Sequence, residues 1–212
     1  MALFRDRAQA GRELAEELRR YAGRSGLVVL GLPRGGVPVA AEVARALGAP
    51  LDVLVVRKLG VPGHEELAMG AVASGGGVVL NDDVVSHLRL PQSVVASVVE
   101  RELAEVRRRE RAYRGERPPL DLRGAVAMIV DDGVATGATV RAAVRAARTA
   151  GAAEVVVAVP VGAPDSLARI AEVADDVVCP HRPRELRSVG EWYRDFSQTS
   201  DAEVREALSA AG

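Results

Sequence analysis

Two adjacent carboxylates stand where a run of aliphatic residues ends, in the stretch M-I-V-D-D-G-V-A-T-G-A-T-V from 128 to 140. Asp131 and Asp132 repel each other and resist burial, so a partner outside the chain is expected to hold them there. The turn that follows, 135–139, offers backbone amides, hydroxyl groups and the start of a helix, which together form an anion cradle. Carboxylates beside such a cradle predict a ligand that carries both hydroxyl groups and a phosphate.

A second anion cradle follows an earlier apolar run. The run L-V-V-L-G-L at 27–32 leads into Arg34, Gly35 and Gly36, which offer bare amides and a guanidinium group at the start of a helix. Two cradles flanking a carboxylate pair indicate one ligand with phosphates at both ends, with hydroxyl groups and a magnesium ion between them.

The segment R-K-L-G-V-P-G-H-E-E at 57–66 follows a third apolar run. Its Gly and Pro content predicts an exposed loop. It also contains Lys58, the only lysine among the 28 basic residues. Since a compact ammonium group and a planar guanidinium group bind anions differently, a single retained lysine indicates a place where arginine does not serve.

The elements that position these segments alternate between apolar strands and amphipathic helices. Strands are predicted at 27–32, 51–56, 125–130, 155–160 and 176–179, weaker strands near 67–73 and 77–80, and helices at 7–21, 37–47, 92–115, 138–150 and 163–173. This alternation predicts an α/β fold with a parallel sheet covered on both faces. Ligands of such sheets bind beyond the carboxyl ends of the strands, where all three segments lie.

Composition narrows the class of protein. A chain of 212 residues that is 48% hydrophobic can bury a full core and fits one domain, 1–212. A net charge of −1 gives no general attraction to nucleic acid or membranes, and acids interleave with the arginines of 107–117. The start, 1–24, is amphipathic and unlike a targeting signal, so a cytoplasmic location is expected. Cys179, the lone cysteine, is interpreted as a packing residue.

Several common catalytic motifs do not occur in the sequence. It contains no G-x-x-x-x-G-K-[ST], no G-x-G-x-x-G and no G-x-S-x-G. P-loop, Rossmann and serine hydrolase functions are therefore unsupported. The three histidines have no metal-ligand spacing.

The stretch I-V-D-D-G-V-A-T-G-A-T at 129–139 resembles the phosphoribosyl pyrophosphate signature of the type I phosphoribosyltransferase family. R-G-G at 34–36 resembles the family's pyrophosphate loop, and R-K-x-G at 57–60 its flexible catalytic loop. A wider pattern, from F-R-D-R-x-x-A-G to V-G-x-W-Y-x-D-F, is similar to that of bacterial stand-alone phosphoribosyltransferase-domain proteins of undefined acceptor. The resemblance implies the type I fold, with a parallel sheet flanked by helices, a flexible loop and a small hood.

The resemblance also implies a domain layout and roles for single residues. The core would be about 25–162 and the hood would come from the N-terminal helix and about 163–212; a homodimer is left open. Asp131 and Asp132 would hold the ribose hydroxyls and Mg²⁺. The 5-phosphate would be wrapped by Ala135, Thr136, Gly137, Ala138 and Thr139, and pyrophosphate would meet Arg34, Gly35, Gly36, Arg57 and Lys58.

The acceptor is less well defined by the resemblance. The segment 188–196 resembles the hood segment of hypoxanthine-guanine enzymes with its spacing off by one. The resemblance would place Asp195 near a base and let Trp192, Tyr193 or Phe196 stack on it. Ala135 stands where those enzymes carry an aspartate, and is what adenine and orotate enzymes show. A general acid or base would then come from Glu65 or Glu66 of the loop, with Glu66 taken as the catalytic candidate alongside Asp131, Asp132 and Lys58.

The predicted function is transfer of the ribose 5-phosphate group of phosphoribosyl pyrophosphate to a nucleobase-like small-molecule acceptor, with magnesium as cofactor and release of pyrophosphate. Neither nucleic acid nor a membrane is an expected partner. Two alternatives are left open. One is a non-catalytic, nucleotide-sensing regulator with the same fold, and the other is a phosphohydrolase acting on a sugar phosphate.

Overall fold

A parallel five-stranded sheet forms the centre of the protein in the computed structural model, which describes residues 3–118 and 120–210 and only the backbone of Glu66. Its strands are β1 (Leu27–Gly31), β2 (Leu51–Val53), β6 (Val126–Val130), β7 (Glu154–Ala158) and β8 (Asp176–Val178), in the order β2-β1-β6-β7-β8. β1 and β6 pair from Leu27 opposite Val126 to Gly31 opposite Val130. Both central strands therefore end at the same level of the sheet.

Helices cover both faces of this sheet. They are α1 (Arg7–Glu17), α2 (Gly36–Leu47), α3 (Asp82–His87), α4 (Gln92–Arg114), α5 (Ala138–Thr149), α6 (Pro164–Ala171) and α7 (Asp201–Ala210). Because successive strand residues point to opposite faces, Met128 belongs to the apolar cluster that contains residues of α1, α2, α4 and α7, whereas Ile129 belongs to the one that contains residues of α5 and α6. The predicted α/β class with a covered parallel sheet is confirmed; α3 and α7 were not predicted.

A second, smaller sheet is antiparallel and corrects one expectation. It contains β3 (Val56–Val61), β4 (His64–Ala73) and β5 (Val78–Leu80), in that order. The prediction of an exposed loop at 57–66 was wrong, because β3 and β4 form a hairpin closed by Pro62 and Gly63. Pro presets the turn and Gly63, at φ 80°, adopts the left-handed conformation that the next position needs. The residues interpreted as strand breakers thus make the turn.

The buried side chains of β3 explain why the hairpin is ordered. Leu59 and Val61 are buried while Lys58 is exposed, so the strand alternates as a half-buried strand does. Leu59 and Val61 belong to the same apolar cluster as α2 and α4. Burial of these two side chains holds the hairpin against the protein.

A third apolar cluster joins the two ends of the chain. Phe4 and Tyr193 pair as an isolated parallel bridge, and the amides of Leu3 and Phe4 donate to the Trp192 carbonyl at 2.9 and 2.8 Å. Phe4, Tyr193 and Val161 are buried together. Since Val161 lies just beyond β7, this cluster, which we call the terminal cluster, lies next to the carboxyl edge of the parallel sheet.

Two further features concern membrane-spanning helices and the lone cysteine. Within the described ranges, no helix has both the length and the apolar character that crossing a bilayer would require. Cys179 is buried in the cluster on the α5 and α6 face, and burial raises the pKa of its thiol to about 11. Its interpretation as a packing residue agrees with this position.

Candidate functional site

A crevice opens at the carboxyl ends of β1 and β6, where the order of the strands reverses. From β1 the chain crosses by α2 to β2 on one side, whereas β6 lies on its other side and leads by α5 to β7. Because α2 and α5 cover opposite faces, the loops that precede them diverge at this point. Such a switch point is the usual ligand site of an open parallel sheet. The loops here are 32–35 and 131–137.

The acid pair lies directly at this crevice. Asp132 Oδ2 accepts a hydrogen bond from Arg7 Nε at 2.9 Å, and Asp131 Oδ1 accepts one from the Asp132 amide at 2.9 Å. Burial raises the pKa of Asp131 well above its usual value, and the charge of Asp132 raises it further. Burial also raises the pKa of Asp132, against the opposing effect of Arg7. Hydroxyl donors or a cation at the pair would therefore stabilise its charged form.

The first anion cradle packs against the acids, as predicted. A Cβ atom on Gly36 would lie 2.7 Å from the Val130 carbonyl oxygen and 2.9 Å from Asp131 Cα, and one on Gly35 would collide with Asp132 Oδ2. Only a bare backbone allows this approach. Arg34 lies at the rim, where its Nη1 is 3.7 Å from Asp201 Oδ1 and both side chains are partly exposed.

The second anion cradle encloses a cavity of about 200 Å³. Asp131 and Val189 line it together with all five residues that the resemblance assigns to the 5-phosphate, namely Ala135, Thr136, Gly137, Ala138 and Thr139. Ser166 Oγ donates to the Ala135 carbonyl at 2.7 Å, which ties the turn to α6. Because α5 begins at Ala138, its free amides and the positive end of its dipole lie at this cavity.

The hairpin separates two residues that the resemblance assigned to one ligand group. Arg57 binds Glu102 of α4, with Nε and Nη2 at 2.9 and 2.7 Å from Oε2. Lys58, its neighbour on the opposite face of β3, lines a cavity next to Ala138 and α5. The structure therefore brings Lys58 towards the second cradle, while the guanidinium group of Arg57 is engaged with a buried glutamate.

The remaining candidates lie farther from the acids or outside the description. The side chain of Glu66 lies outside the described residues, and Glu65 is exposed on β4. Trp192 is half-buried against the terminal cluster. Asp195 is exposed and accepts a hydrogen bond from the Ser197 amide at 3.0 Å.

The acid pair contacts Arg7, which the sequence did not single out, and Tyr193, which the resemblance offered only as a stacking residue. Arg7, besides its ion pair with Asp132, donates to the Ser197 carbonyl at 2.7 Å and lies 4.0 Å from the centroid of the Phe196 ring. Tyr193 Oη donates to the Asp132 carbonyl at 2.6 Å, and burial raises the pKa of this phenol, which therefore stays protonated. Arg7 stood within the F-R-D-R pattern, but nothing local indicates a contact that spans 125 positions.

The acid pair could supply only part of the coordination shell of a metal ion. In the part of the chain that the structure describes, no group of three or more His, Cys, Asp or Glu side chains could hold a metal ion. Mg²⁺ commonly takes only one or two carboxylates and completes its shell with water and substrate phosphates. Asp131 and Asp132 fit that limited role, with one oxygen of Asp132 already bound by Arg7.

Comparisons with known proteins identify the family of this chain. Residues 3–192 match the family model described as a phosphoribosyl transferase domain. Proteins of two Mycobacterium tuberculosis strains, CDC 1551 and H37Rv, each named Putative phosphoribosyl transferase, are 53% identical over 211 residues. These matches cover 100% of this chain but 47% of each relative, so the chain spans about half their length.

Two solved structures resemble the protein. The crystal structure of TT1426 from Thermus thermophilus is 43% identical, with a TM-score of 0.88 and coverage of 100% of both chains. The AQ2163 protein from Aquifex aeolicus is 12% identical, with a TM-score of 0.51 over 97% of this chain and 86% of its own. The second likeness concerns the fold alone.

Proposed function

Because this chain belongs to the phosphoribosyl transferase domain family, we propose that it transfers the ribose 5-phosphate group of phosphoribosyl pyrophosphate to a nucleobase-like acceptor and releases pyrophosphate. The match of residues 3–192 to the family model confirms the family resemblance predicted from 129–139. One observation carries the proposed activity: Asp131 lines the same cavity as the cradle at 135–139. A phosphate in that cradle and a pair of hydroxyl groups at the acids describe the two ends of a phosphorylated ribose.

The reaction would break the bond between the anomeric carbon and a pyrophosphate oxygen, which leaves with the electron pair. A bond from that carbon to an acceptor nitrogen forms, and the nitrogen loses a proton. Positive charge develops on the ribose, and the carboxylates of Asp131 and Asp132 would stabilise it electrostatically. Negative charge develops on the leaving group, where the Gly35 amide and the ammonium group of Lys58 would bind it. The Gly36 amide already donates to the Leu32 carbonyl at 3.0 Å, so Gly36 would contribute only its lack of a side chain.

Magnesium is proposed as the cofactor, held by Asp131 and Asp132. It would neutralise charge on the departing diphosphate. Arg7 holds Asp132 in position through the 2.9 Å ion pair and thereby leaves Asp131 as the less committed carboxylate. Removal of divalent metal by a chelator is expected to abolish turnover and to weaken binding of the donor.

The roles of the residues that would bind or activate the acceptor stay predictions. Glu66 is the proposed general acid or base, Trp192 a stacking residue and Asp195 a residue that binds the base. The layout of 1–212 as one domain, with a core of about 25–162 and a hood, also stays a prediction, as does a homodimer. Replacement of Trp192 or Asp195 is expected to raise the KM of the acceptor and to leave donor binding unchanged.

Calorimetric titration with phosphoribosyl pyrophosphate and Mg²⁺ tests the proposal. Asp131→Asn should weaken donor binding at least about tenfold, the effect of about 1.4 kcal/mol. Asp121→Asn is the matched control, because Asp121 is an exposed carboxylate that Arg123 already pairs. An absence of donor binding, or equal binding by both variants, would refute the assignment of the acid pair. Pyrophosphate release with a panel of nucleobases then identifies the acceptor.

The ion pair between Arg7 and Asp132 favours the alternative function, a nucleotide sensor with the same fold. Both side chains are largely buried, with 12% and 14% exposed, so a guanidinium group already occupies one acid. A sensor would bind the donor or a nucleotide and release no pyrophosphate with any base of the panel. Turnover with any of these bases would exclude it.

A further inference from the structure

A second cavity, about 160 Å³ in volume, lies between the small sheet and α5. Lys58 and Gly70 line it from the sheet, and Arg141 and Arg145 line it from the helix. Over the described part of the chain, the lining holds three cationic side chains and no carboxylate. The electrostatic character of the cavity is therefore wholly positive.

Arg141 lacks a partner that its burial requires. Its Nε atom is buried and forms no hydrogen bond with any residue that the structure describes. The Nε–H group is a hydrogen-bond donor only, and a buried donor without an acceptor costs free energy. Arg148, about two turns farther along the same helix, is by contrast satisfied by the Val173 carbonyl and by Asp175. The missing component at Arg141 is a hydrogen-bond acceptor.

The charges of the cavity indicate which kind of hydrogen-bond acceptor would bind at Arg141. Lys58, Arg141 and Arg145 repel one another across a small space, so an anion between them would relieve the repulsion as well as satisfy Nε. A guanidinium group paired with an ammonium group is a combination that binds tetrahedral oxyanions. The chemistry therefore fits a phosphate group better than a neutral ligand.

The cavity adjoins the cradle at 135–139 and is distinct from it. Ala138 is the residue that lines both. From Ala138 the cradle extends back along the loop to Gly133, whereas the second cavity extends along α5 to Arg145. A ligand with two linked phosphates could therefore place one on each side of Ala138.

We propose that Arg141 and Arg145 form a second phosphate-binding site beside the cradle at 135–139, with Lys58 lining it while the donor site is empty. The phosphate would be either free inorganic phosphate or the outer phosphate of a nucleoside diphosphate whose inner phosphate lies in the cradle. The second source rests on the proposed function, because it needs the cradle to bind phosphate. The first source does not. In both cases the bound anion would link the hairpin to α5.

Titration calorimetry at constant ionic strength distinguishes the sources. The probes are inorganic phosphate, AMP and ADP, and the proteins are the wild type, Arg141→Gln, Arg145→Gln and Arg148→Gln. If the phosphate is free, saturable binding of inorganic phosphate is lost in the first two variants. If it is an outer phosphate, ADP binds at least about tenfold more tightly than AMP, as expected for one charge-assisted hydrogen-bonded group, and the ratio falls to about one in those variants. Arg148→Gln removes the same charge from α5 and should keep the wild-type values.

The proposal is overturned if inorganic phosphate binds equally to all four proteins, or to none, and ADP binds no more tightly than AMP. Circular dichroism checks the fold of Arg141→Gln. Arg145 is exposed, so Arg145→Gln decides the outcome should Arg141→Gln not fold. Titration of the same wild-type protein with phosphoribosyl pyrophosphate distinguishes the two proposals. A failure of donor binding refutes the proposed function. The inorganic phosphate result still decides whether the second phosphate-binding site exists.

Discussion

The carboxyl group of Asp131 lies half-buried beside a second carboxyl group, and each raises the cost of charging the other. Arg7 offsets part of this cost at Asp132 through a direct ion pair, whereas Asp131 receives only a backbone amide. Such uncompensated charge is typical of a site that is completed by its ligand. The two acids are therefore expected to lower the stability of the free protein.

The pH dependence of stability tests this cost. With its pKa raised in the folded state, Asp131 contributes stability that is complete below the ordinary value of 3.8 and is lost as pH rises through the raised value. At pH 7, Asp131→Asn should therefore have a free energy of unfolding about 1 kcal/mol or more above that of the wild type, as measured by denaturant unfolding. This gain in stability should vanish near about pH 4.

Asp121→Asn serves as the control for that measurement. Its hydrogen bond from Arg123 lowers the pKa of Asp121 to about 2, so its contribution has the opposite sign and is lost as pH falls. This variant should show no gain in stability at pH 7. A gain of the same size in both variants would mean that surface charge, and not burial at the crevice, is the cause.

At the scale of elements, β3 shows how one strand serves two purposes. Burial would raise the pKa of Glu102, but hydrogen bonds from Arg57 and Arg101 hold it below the ordinary value, so the carboxylate of α4 stays charged. Arg57 thus fastens the hairpin to α4, while Lys58 on the other face is exposed towards α5. Alternation along the strand places the ion pair with α4 and the proposed ligand contact on adjacent residues.

Matched substitutions in β3 should separate these purposes. Arg57→Gln leaves Glu102 buried with one cation fewer and should lower the free energy of unfolding by about 1–2 kcal/mol. Lys58→Gln should change it by less than about 0.5 kcal/mol, as at other exposed positions. Denaturant unfolding measures the first effect, and donor titration should show the larger loss for Lys58→Gln. The reverse order of the two stability effects would contradict the division of faces.

At the scale of the whole molecule, the two ends of the chain close over the carboxyl edge of the parallel sheet. Phe4 packs against Tyr193 with ring centroids 5.2 Å apart, and Arg7 reaches the Ser197 carbonyl. Tyr193 then ties this arrangement to the end of β6 through the Asp132 carbonyl. The geometry of the acid pair therefore depends on residues near both ends of the sequence.

Tyr193→Phe should reveal that dependence. Loss of one hydrogen bond is expected to cost about 1 kcal/mol of unfolding free energy. It should also weaken donor binding, because the Asp132 carbonyl is released. Tyr21→Phe, which removes a hydrogen bond to Asp176 far along the sheet from the crevice, should cost a similar amount and leave donor affinity unchanged. Equal donor affinities for the two variants would argue against a coupling between the terminal cluster and the acid pair.

Local sequence was sufficient for much of the fold and for the centre of the site. The strands that end at Gly31 and Val130 were visible as apolar runs, and the glycines and acids after them as breaks in those runs. Gly36 meets Asp131 because β1 and β6 end at one level. Parallel pairing of buried strands thus brings residues that follow different strands in the sequence together at one edge of the sheet.

Other features followed only from tertiary contacts. The prediction of a loop at 57–66 was wrong because Gly and Pro weaken a strand pattern on average, whereas burial of Leu59 and Val61 stabilises the hairpin there. The partners of Arg7, Arg57 and Tyr193 lie 125, 45 and 61 positions away. Residue type and spacing along the chain therefore determined the sheet, its acid pair and the turn at 135–139 beside it. Only packing between distant segments decided that Arg7 and Tyr193 contact the acid pair and that Lys58 faces α5, because those contacts exist only once the chain has folded.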